Sequence, residues 1–269
     1  MAGRQEHIVS PDPWTALKKF TEARIGLGRC GTSLPLEKDL AFRLAHARAK
    51  DAVWAMADFV ALKTTLSAAG LSSLVLCSRC VDRGEYLTRP DMGRRLADQS
   101  VKLFAGQPQG DDIAIVVCDG LSSPAIDQRA GVIISLLMAL LQTTTLTIAP
   151  IALVENGRVA IGDEIGELLG ARLVIVLIGE RPGLTAPHSL GCYLTYHPQV
   201  GTTDEMRNCV ANIRPGGLEV DAAVKKIAYL VDNAFRLQRT GIALKDRMPE
   251  DYRPLSGLPD RTASPLRRQ

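Results

Sequence analysis

The chain has 269 residues, enough to bury one large core or two smaller ones. Hydrophobic residues make up 46% and charged residues 23%, an ordinary globular balance, and aromatics at only 4% leave the core to Leu, Val, Ile and Ala. A formal net charge of +3, with no long basic cluster interleaved with aromatics, gives DNA or RNA binding no support.

Residues 1–13 are polar, carry Pro11 and Pro13, and lack the apolar core of a secretory signal, so a disordered N-terminus is expected. Trp14, Leu17, Phe20 and Ile25 suit an amphipathic helix. Gly26-Leu27-Gly28-Arg29-Cys30-Gly31 matches G-x-G-x-x-G, but a dinucleotide site needs a strand before it and a helix opening within it. A helix-like segment precedes and Thr32-Ser33-Leu34-Pro35 follows, so a Gly-rich loop joining two helices is the better account. A nicotinamide enzyme would require a β-α-β unit here.

From Leu36 to about Ala69 the chain is Ala-rich, with apolar residues at Leu40, Leu44, Ala47, Val53, Met56 and Val60, which predicts a helical run broken once or twice and ended by Gly70. Ser72 to Cys77 reads as a short strand. Cys77-Ser78-Arg79-Cys80 is a C-x-x-C with no second pair, and His188, Cys192 and His197 stand too far off for any common zinc class. The other cysteines, Cys30, Cys118 and Cys209, are scattered too, which suggests free thiols rather than a disulfide framework. Thr88 to about Phe104 is expected to be a helix with Pro90 and Asp91 in its first turn. Residues 14–110 thus make a mainly helical N-terminal region closed by a polar linker.

After Asp111 strands and helices alternate. Ile113–Cys118 and Ile148–Val154 are apolar strands ending at Asp119-Gly120-Leu121-Ser122 and at Glu155-Asn156-Gly157-Arg158-Val159. A helix of about Ala125 to Gln142 separates them, and another, Ile161 to Leu169, carries Asp163, Glu164 and Glu167 on its wet face and stops at Gly170. Leu173–Ile178 is six apolar residues in a row, the pattern of a strand buried on both faces, and it ends at Gly179-Glu180-Arg181-Pro182. Cys192–Tyr196 is a further strand, Glu205 to Ile213 a short helix, and Val220 to Gln238 a last helix. Residues 111–243 therefore predict an α/β, Rossmann-like parallel sheet flanked by helices, with right-handed crossovers and without the Gly-rich fingerprint. Residues 244–269, charged and Pro-containing, are expected to be a disordered tail. The longest apolar stretches are too short or interrupted to span a bilayer, so a soluble, cytoplasmic protein with no membrane contact is expected.

The chemistry of these loops is sparse. There is no G-x-S-x-G elbow, Walker A loop or H-E-x-x-H, and with four histidines (His7, His46, His188, His197) a general base is hard to place. Polar groups gather at strand ends instead: Asp119 and Ser122, Asn156 and Arg158, Glu180 and Arg181. Strand C-terminal ends are where ligands sit in open α/β sheets, although Glu180 and Arg181 would also suit a solvated loop. The residues alone describe a ligand-holding domain with no catalytic set of its own. A nucleotide-binding regulatory α/β protein without catalytic function fits that description too.

Several long motifs, in order, resemble the small (light) subunit of ethanolamine ammonia-lyase. They are Ala23-Arg24-Ile25 leading to Gly28-Arg29, the run from Tyr86 through Thr88-Arg89-Pro90-Asp91-Met92-Gly93-Arg94-Arg95-Leu96, and Asp119-Gly120-Leu121-Ser122. Asp163-Glu164-Ile165-Gly166-Glu167-Leu168-Leu169-Gly170-Ala171, Gly179-Glu180-Arg181-Pro182-Gly183-Leu184 and Asn212-Ile213 before Gly216-Gly217 complete the set. The resemblance implies an adenosylcobalamin-dependent lyase that converts ethanolamine to acetaldehyde and ammonia by a radical rearrangement. It implies a large TIM-barrel subunit carrying the substrate site, a hexamer of large–small pairs, and a small subunit that holds the cobalamin with no catalytic residue of its own. The N-terminal region would dock on large subunits. Three cofactor-binding positions carry over, Val159, Glu180 and Cys209, with Cys209 open to the alternative of a core thiol on a helix. No histidine has an aspartate two positions before it, so the D-x-H-x-x-G signature of histidine-ligated cobalamin proteins is absent and cobalt is expected to keep its own dimethylbenzimidazole. Packing within a bacterial microcompartment is left open.

Overall fold

In the computed structural model, which describes residues 8–254, the apolar strands join one six-stranded sheet. Its strands are β1 (Ser73–Cys77), β2 (Ile113–Cys118), β3 (Ile151–Glu155), β4 (Leu173–Gly179), β5 (Leu190–Tyr196) and β6 (Arg207–Ile213), in the order β1-β3-β2-β4-β5-β6. The helices are α1 (Leu36–Trp54), α2 (Phe59–Ala68), α3 (Arg83–Thr88), α4 (Asp98–Lys102), α5 (Ser123–Leu141), α6 (Ile161–Leu169) and α7 (Val220–Leu237). The expected strand at the opening of the sheet, β1, comes from the N-terminal region and pairs with β3 along the sheet's edge.

The sheet is mixed rather than Rossmann-like. β1, β3, β2 and β4 are parallel, but β5 is antiparallel to β4 and to β6. The reason lies in the connections. Parallel neighbours need a crossover of a dozen or more residues, usually a helix. Neither the loop from β4 to β5 nor that from β5 to β6 holds an α-helix, only a 3-10 turn at Asp204–Met206, so the chain doubles back.

β6 also corrects the helix expected at Glu205 to Ile213. Leu190 and Cys192 on β5 pair with Ile213 and Val210, so three steps on β6 match two on β5. That irregularity, with Asn212 at φ 61°, puts the inward residues Val210 and Ile213 three apart, a helix-like spacing.

Both faces of the parallel quartet are covered. α2 and α5 bury one face through Phe59, Leu66, Ile133 and Leu137, and α7 continues that layer over β5 and β6 through Ile227 and Val231, while α6 on β2 and β4, with Leu96 and Phe104, buries the other through Ile161, Ile165 and Leu169. α5 has 19 residues and is long and apolar enough to cross a membrane by length and composition, yet it lies against the sheet with residues such as Ile126, Ile134 and Leu141 buried. Asp163 and Glu164 on α6, expected in water, are buried in ion pairs. Glu164 receives two hydrogen bonds from Arg95 (3.1 and 2.9 Å) and one from the Leu96 N–H (2.7 Å). Asp163 receives two from Arg207 of β6 (2.6 and 2.7 Å).

The N-terminal region departs from expectation in two places. The amphipathic helix at Trp14 is a 3-10 helix, Pro13–Phe20, capped by Asp12 and with none of its residues buried. The helix expected from Thr88 is split, because Pro90 disfavours helical backbone at Arg89 (φ −125°, ψ 73°). α3 ends there, and a 3-10 turn at Met92–Arg94 and an extended Arg95 lead to α4. The Gly26–Gly31 loop lies between the 3-10 helix and α1 with no strand before it among the described residues, so it lacks the β-α-β context of a dinucleotide site.

Of the segments expected to be disordered, residues 1–7 and 255–269 lie outside the described residues. Within them, Ser10 bridges Arg29, and residues after 243 pack back on α7. Leu244 is buried, Lys226 pairs with Asp246, and Tyr252 meets the Tyr229 ring edge-on at 5.2 Å.

Candidate functional site

The parallel quartet delivers its C-terminal ends to one edge, and the polar groups expected there divide into two classes. Asp119 and Asn156 are buried and serve the scaffold. Asp119 accepts hydrogen bonds from the N–H groups of Gly120 (2.9 Å), Asn156 (3.0 Å) and Gly157 (3.3 Å) and pairs with Arg83 at 3.3 Å. Arg83 also donates to Asn156 Oδ1, the Gly120 carbonyl and the Val53 carbonyl, tying α1 and α3 to the loops after β2 and β3. Burial outweighs the Arg83 charge and those N–H groups, and pushes the Asp119 carboxyl up to about 6. Ser122 is consumed as well, donating to the Pro187 carbonyl at 2.8 Å.

Arg158, Val159, Glu180 and Arg181 form the second class, which lines open space. Glu180 turns back over the sheet edge. Its Oε2 accepts from the Ser189 hydroxyl at 2.5 Å and from the Asn212 N–H at 3.1 Å. Gly191 lies beneath it: a Cβ there would stand 3.1 Å from Glu180 Cγ and Oε1, so any larger residue would press the carboxylate away from β5. Among the described residues nothing donates to Oε1, which is left as an acceptor.

α6 lies over β2 and β4 and reaches β6 only through the Asp163–Arg207 pair, leaving much of that face of β5 and β6 uncovered. On that face Tyr193 of β5 pairs in register with Cys209 of β6. Tyr193 is half-buried and Cys209 exposed. A cavity of about 470 Å³, lined by Tyr86, Leu121, Glu180, Arg181 and others, and one of about 780 Å³, running past Arg94, Arg95 and Thr202–Arg207, both include Arg158, Val159 and Tyr193 in their walls. They adjoin around these three residues. Desolvation pushes the Cys209 thiol up, with the Glu180 charge adding to it, and desolvation with the Cys209 and Glu180 charges does the same to the Tyr193 phenol.

The structure therefore brings Val159, Glu180 and Cys209 together around Tyr193. Cys209 stands on a strand and faces outward, so it is not a core thiol on a helix. Singly, Tyr193, Gly191 and Ser189 carry no signal of a role in the sequence, and Asn212 stands there only as part of a family motif. The alternation Gly191, Tyr193, Thr195 on one face of β5 was the available signal, but it acquires meaning only once much of that face is known to be left uncovered.

The site is rich in recognition groups. Its thiol and phenol are pushed toward their neutral forms, no histidine lines either cavity, and among the described residues no cluster of three His, Cys, Asp or Glu is placed to hold a metal. Two linked cavities walled by an apolar side chain, an aromatic ring, a free carboxylate oxygen and arginines suit a large ligand with many polar substituents.

Comparison with known proteins agrees with the motifs. The family model described as "Ethanolamine ammonia-lyase light chain (EutC)" matches residues 11–245. The ethanolamine ammonia-lyase small subunit of Ralstonia nicotianae is 50% identical over 242 residues, covering 88% of this chain and 90% of that one. That of Xanthomonas campestris pv. campestris is 50% identical over 250 residues, 91% of each chain, and that of Pseudomonas fluorescens Pf0-1 is 48% identical over 239 residues, 87% of each. The chain belongs to the ethanolamine ammonia-lyase light-chain family.

Proposed function

From that membership we propose that this chain is the cobalamin-holding small subunit of an adenosylcobalamin-dependent ethanolamine ammonia-lyase, which converts ethanolamine to acetaldehyde and ammonia in ethanolamine catabolism. The observation that carries the reading is the largely uncovered β5–β6 face, where Val159, Glu180 and Cys209 surround Tyr193 beside two adjoining cavities. The donor set fits a corrinoid. Glu180 Oε1 can accept from peripheral amides, Val159 offers apolar contact, and the small, soft Cys209 permits close approach. Bound cofactor supplies the radical that initiates the rearrangement. This chain's residues bind and orient it, exclude water from the side they cover, and contribute no acid or base.

On this reading the substrate site lies on a large TIM-barrel subunit, in a hexamer of large–small pairs. Exposed apolar side chains on α1, including Leu36, Leu40, Phe42, Leu44 and Trp54, support a docking role for the N-terminal region. Only Ala52 of that 19-residue helix is buried. The absence of histidine from the cavity walls favours cobalt that keeps its dimethylbenzimidazole ligand. The complex would work in the cytoplasm or inside a bacterial microcompartment.

Co-expression with the large subunit, cobalamin titration of the complex and a cobalamin-dependent acetaldehyde assay test the proposal. Saturable corrin uptake with ethanolamine turnover is expected. No corrin uptake at any ratio of the two chains would overturn it.

A further inference from the structure

The cavity of about 780 Å³ holds charge that the protein leaves unanswered. Of its four arginines, Arg95 is matched by Glu164, and Arg207 by Asp163 and Asp204. Arg94 and Arg158 have no carboxylate within ion-pair distance among the described residues, and the remaining acid in the wall, Glu205, is exposed. Arg158 is also held in place. Its guanidinium stacks 4.1 Å over the Tyr86 ring, its Nη2 donates to the Tyr86 carbonyl at 2.8 Å, and its backbone N–H donates to the Gly93 carbonyl at 2.8 Å. Gly93 exists for this approach, since a Cβ there would stand 2.9 Å from Arg158 Cγ.

A guanidinium carries five N–H donors, and here one is used. Nε, also without an acceptor, is buried away from the cavity, so the donors left to a ligand are those of Nη1 and the second N–H of Nη2, for which no protein acceptor stands among the described residues. The next two residues add to the same surface. Val159 and Ala160 line the cavity directly before α6, and among the described residues no acceptor takes either backbone N–H. A fixed, unpaired arginine beside free N–H groups at a helix start is complementary to a phosphate oxyanion.

We propose that Arg158, assisted by the N–H groups of Val159 and Ala160 and by Arg94 at the rim, forms a subsite for the phosphodiester in the nucleotide tail of the bound cobalamin. The inference rests on the cobalamin-holding reading above and deepens it. It makes Arg158 a recognition residue for the tail, distinct from Glu180, which faces the smaller cavity. The same chemistry would also accept free inorganic phosphate.

The test is equilibrium binding to the complex with the large subunit, read by corrin absorbance. The ligands are cobalamin and cobinamide, the latter lacking the nucleotide tail and its phosphodiester. In Arg158→Gln, cobalamin affinity is expected to fall roughly tenfold to a hundredfold, the range for a charge-assisted hydrogen bond, with cobinamide affinity unchanged. Arg158→Lys should recover part of the loss. Equal weakening of both ligands, or of neither, would overturn the subsite. Binding of inorganic phosphate alone, with cobalamin affinity unaffected by Arg158→Gln, would assign a free-anion site instead and also overturn it. If Arg158→Gln fails to assemble, the exposed Arg94→Gln carries the test: cobalamin weakened about threefold with cobinamide unaffected supports the subsite, and any other pattern refutes it. Failure of the parent reading looks different, because the unaltered complex would then bind neither corrinoid.

Discussion

Ser189 donates its hydroxyl to Glu180 Oε2 at 2.5 Å, joining the loop after β4 to the start of β5. The Asn212 N–H binds the same oxygen from β6, so three consecutive strands fix one carboxylate. If Glu180 holds cobalamin, Glu180→Ala should weaken its affinity about tenfold to a hundredfold while the subunits still assemble. Ser189→Ala, which frees the carboxylate to turn, should cost about fivefold, and Ser189→Thr should restore most of it. Gly191→Val should behave like Glu180→Ala, because its side chain would occupy the carboxylate's place. Corrin titration of the complex reads all four, and unchanged affinity in Glu180→Ala would make that residue peripheral.

Arg207 and Asp163 are the strongest tie between β6 and α6, with side chains only 3% and 1% exposed. Asp163→Ala leaves the Arg207 charge buried with Thr195, the Thr202 carbonyl and the exposed Asp204 as its remaining partners. A loss of about 3–5 kcal/mol in unfolding free energy is expected by urea denaturation. Adding Arg207→Met should recover much of it, since removing both charges removes the unpaired one. Stability within about 0.5 kcal/mol of the parent in Asp163→Ala would show that the pair contributes nothing.

Asp119 gives stability an unusual pH dependence. Folding raises its pKa from about 3.9 in the unfolded chain to about 6, so the folded state binds this proton more tightly. Its contribution is full below about pH 4 and is lost as pH rises through about 6. Against Asp119→Asn, which cannot titrate, the unaltered protein should lose stability from about pH 4 to 6 and level off above. Urea midpoints across that range measure the difference, and the opposite slope would mean that Arg83 dominates over burial.

The cobalt ligand is open to a direct spectroscopic check. With histidines labelled by nitrogen-15, the spin-resonance spectrum of the paramagnetic cobalt in the complex should be unchanged, its nitrogen coupling coming from the nucleotide base. A histidine-dependent change in that coupling would refute the base-on assignment.

The sequence by itself located three of the parallel strands, β2, β3 and β4, because unbroken apolar runs such as Leu173–Ile178 suit a strand covered on both sides, whereas β1, a short run in the N-terminal region, joins them only in the tertiary structure. It also located the polar turns at the strand ends, and the family resemblance carried over Val159, Glu180 and Cys209 as the cofactor positions to expect. Local pattern could not decide β6, where a strand irregularity mimics helical spacing, nor the antiparallel return of β5, which follows from connections too short for a crossover. It could not tell Asp163 and Glu164 from solvated acids, since their partners Arg207 and Arg95 lie 44 and 69 residues away. Nor could it show that α6 leaves much of the Tyr193 and Cys209 face of β5 and β6 uncovered. Burial and ion pairing between distant segments are set by tertiary packing, and that packing turned three separate residues into one surface.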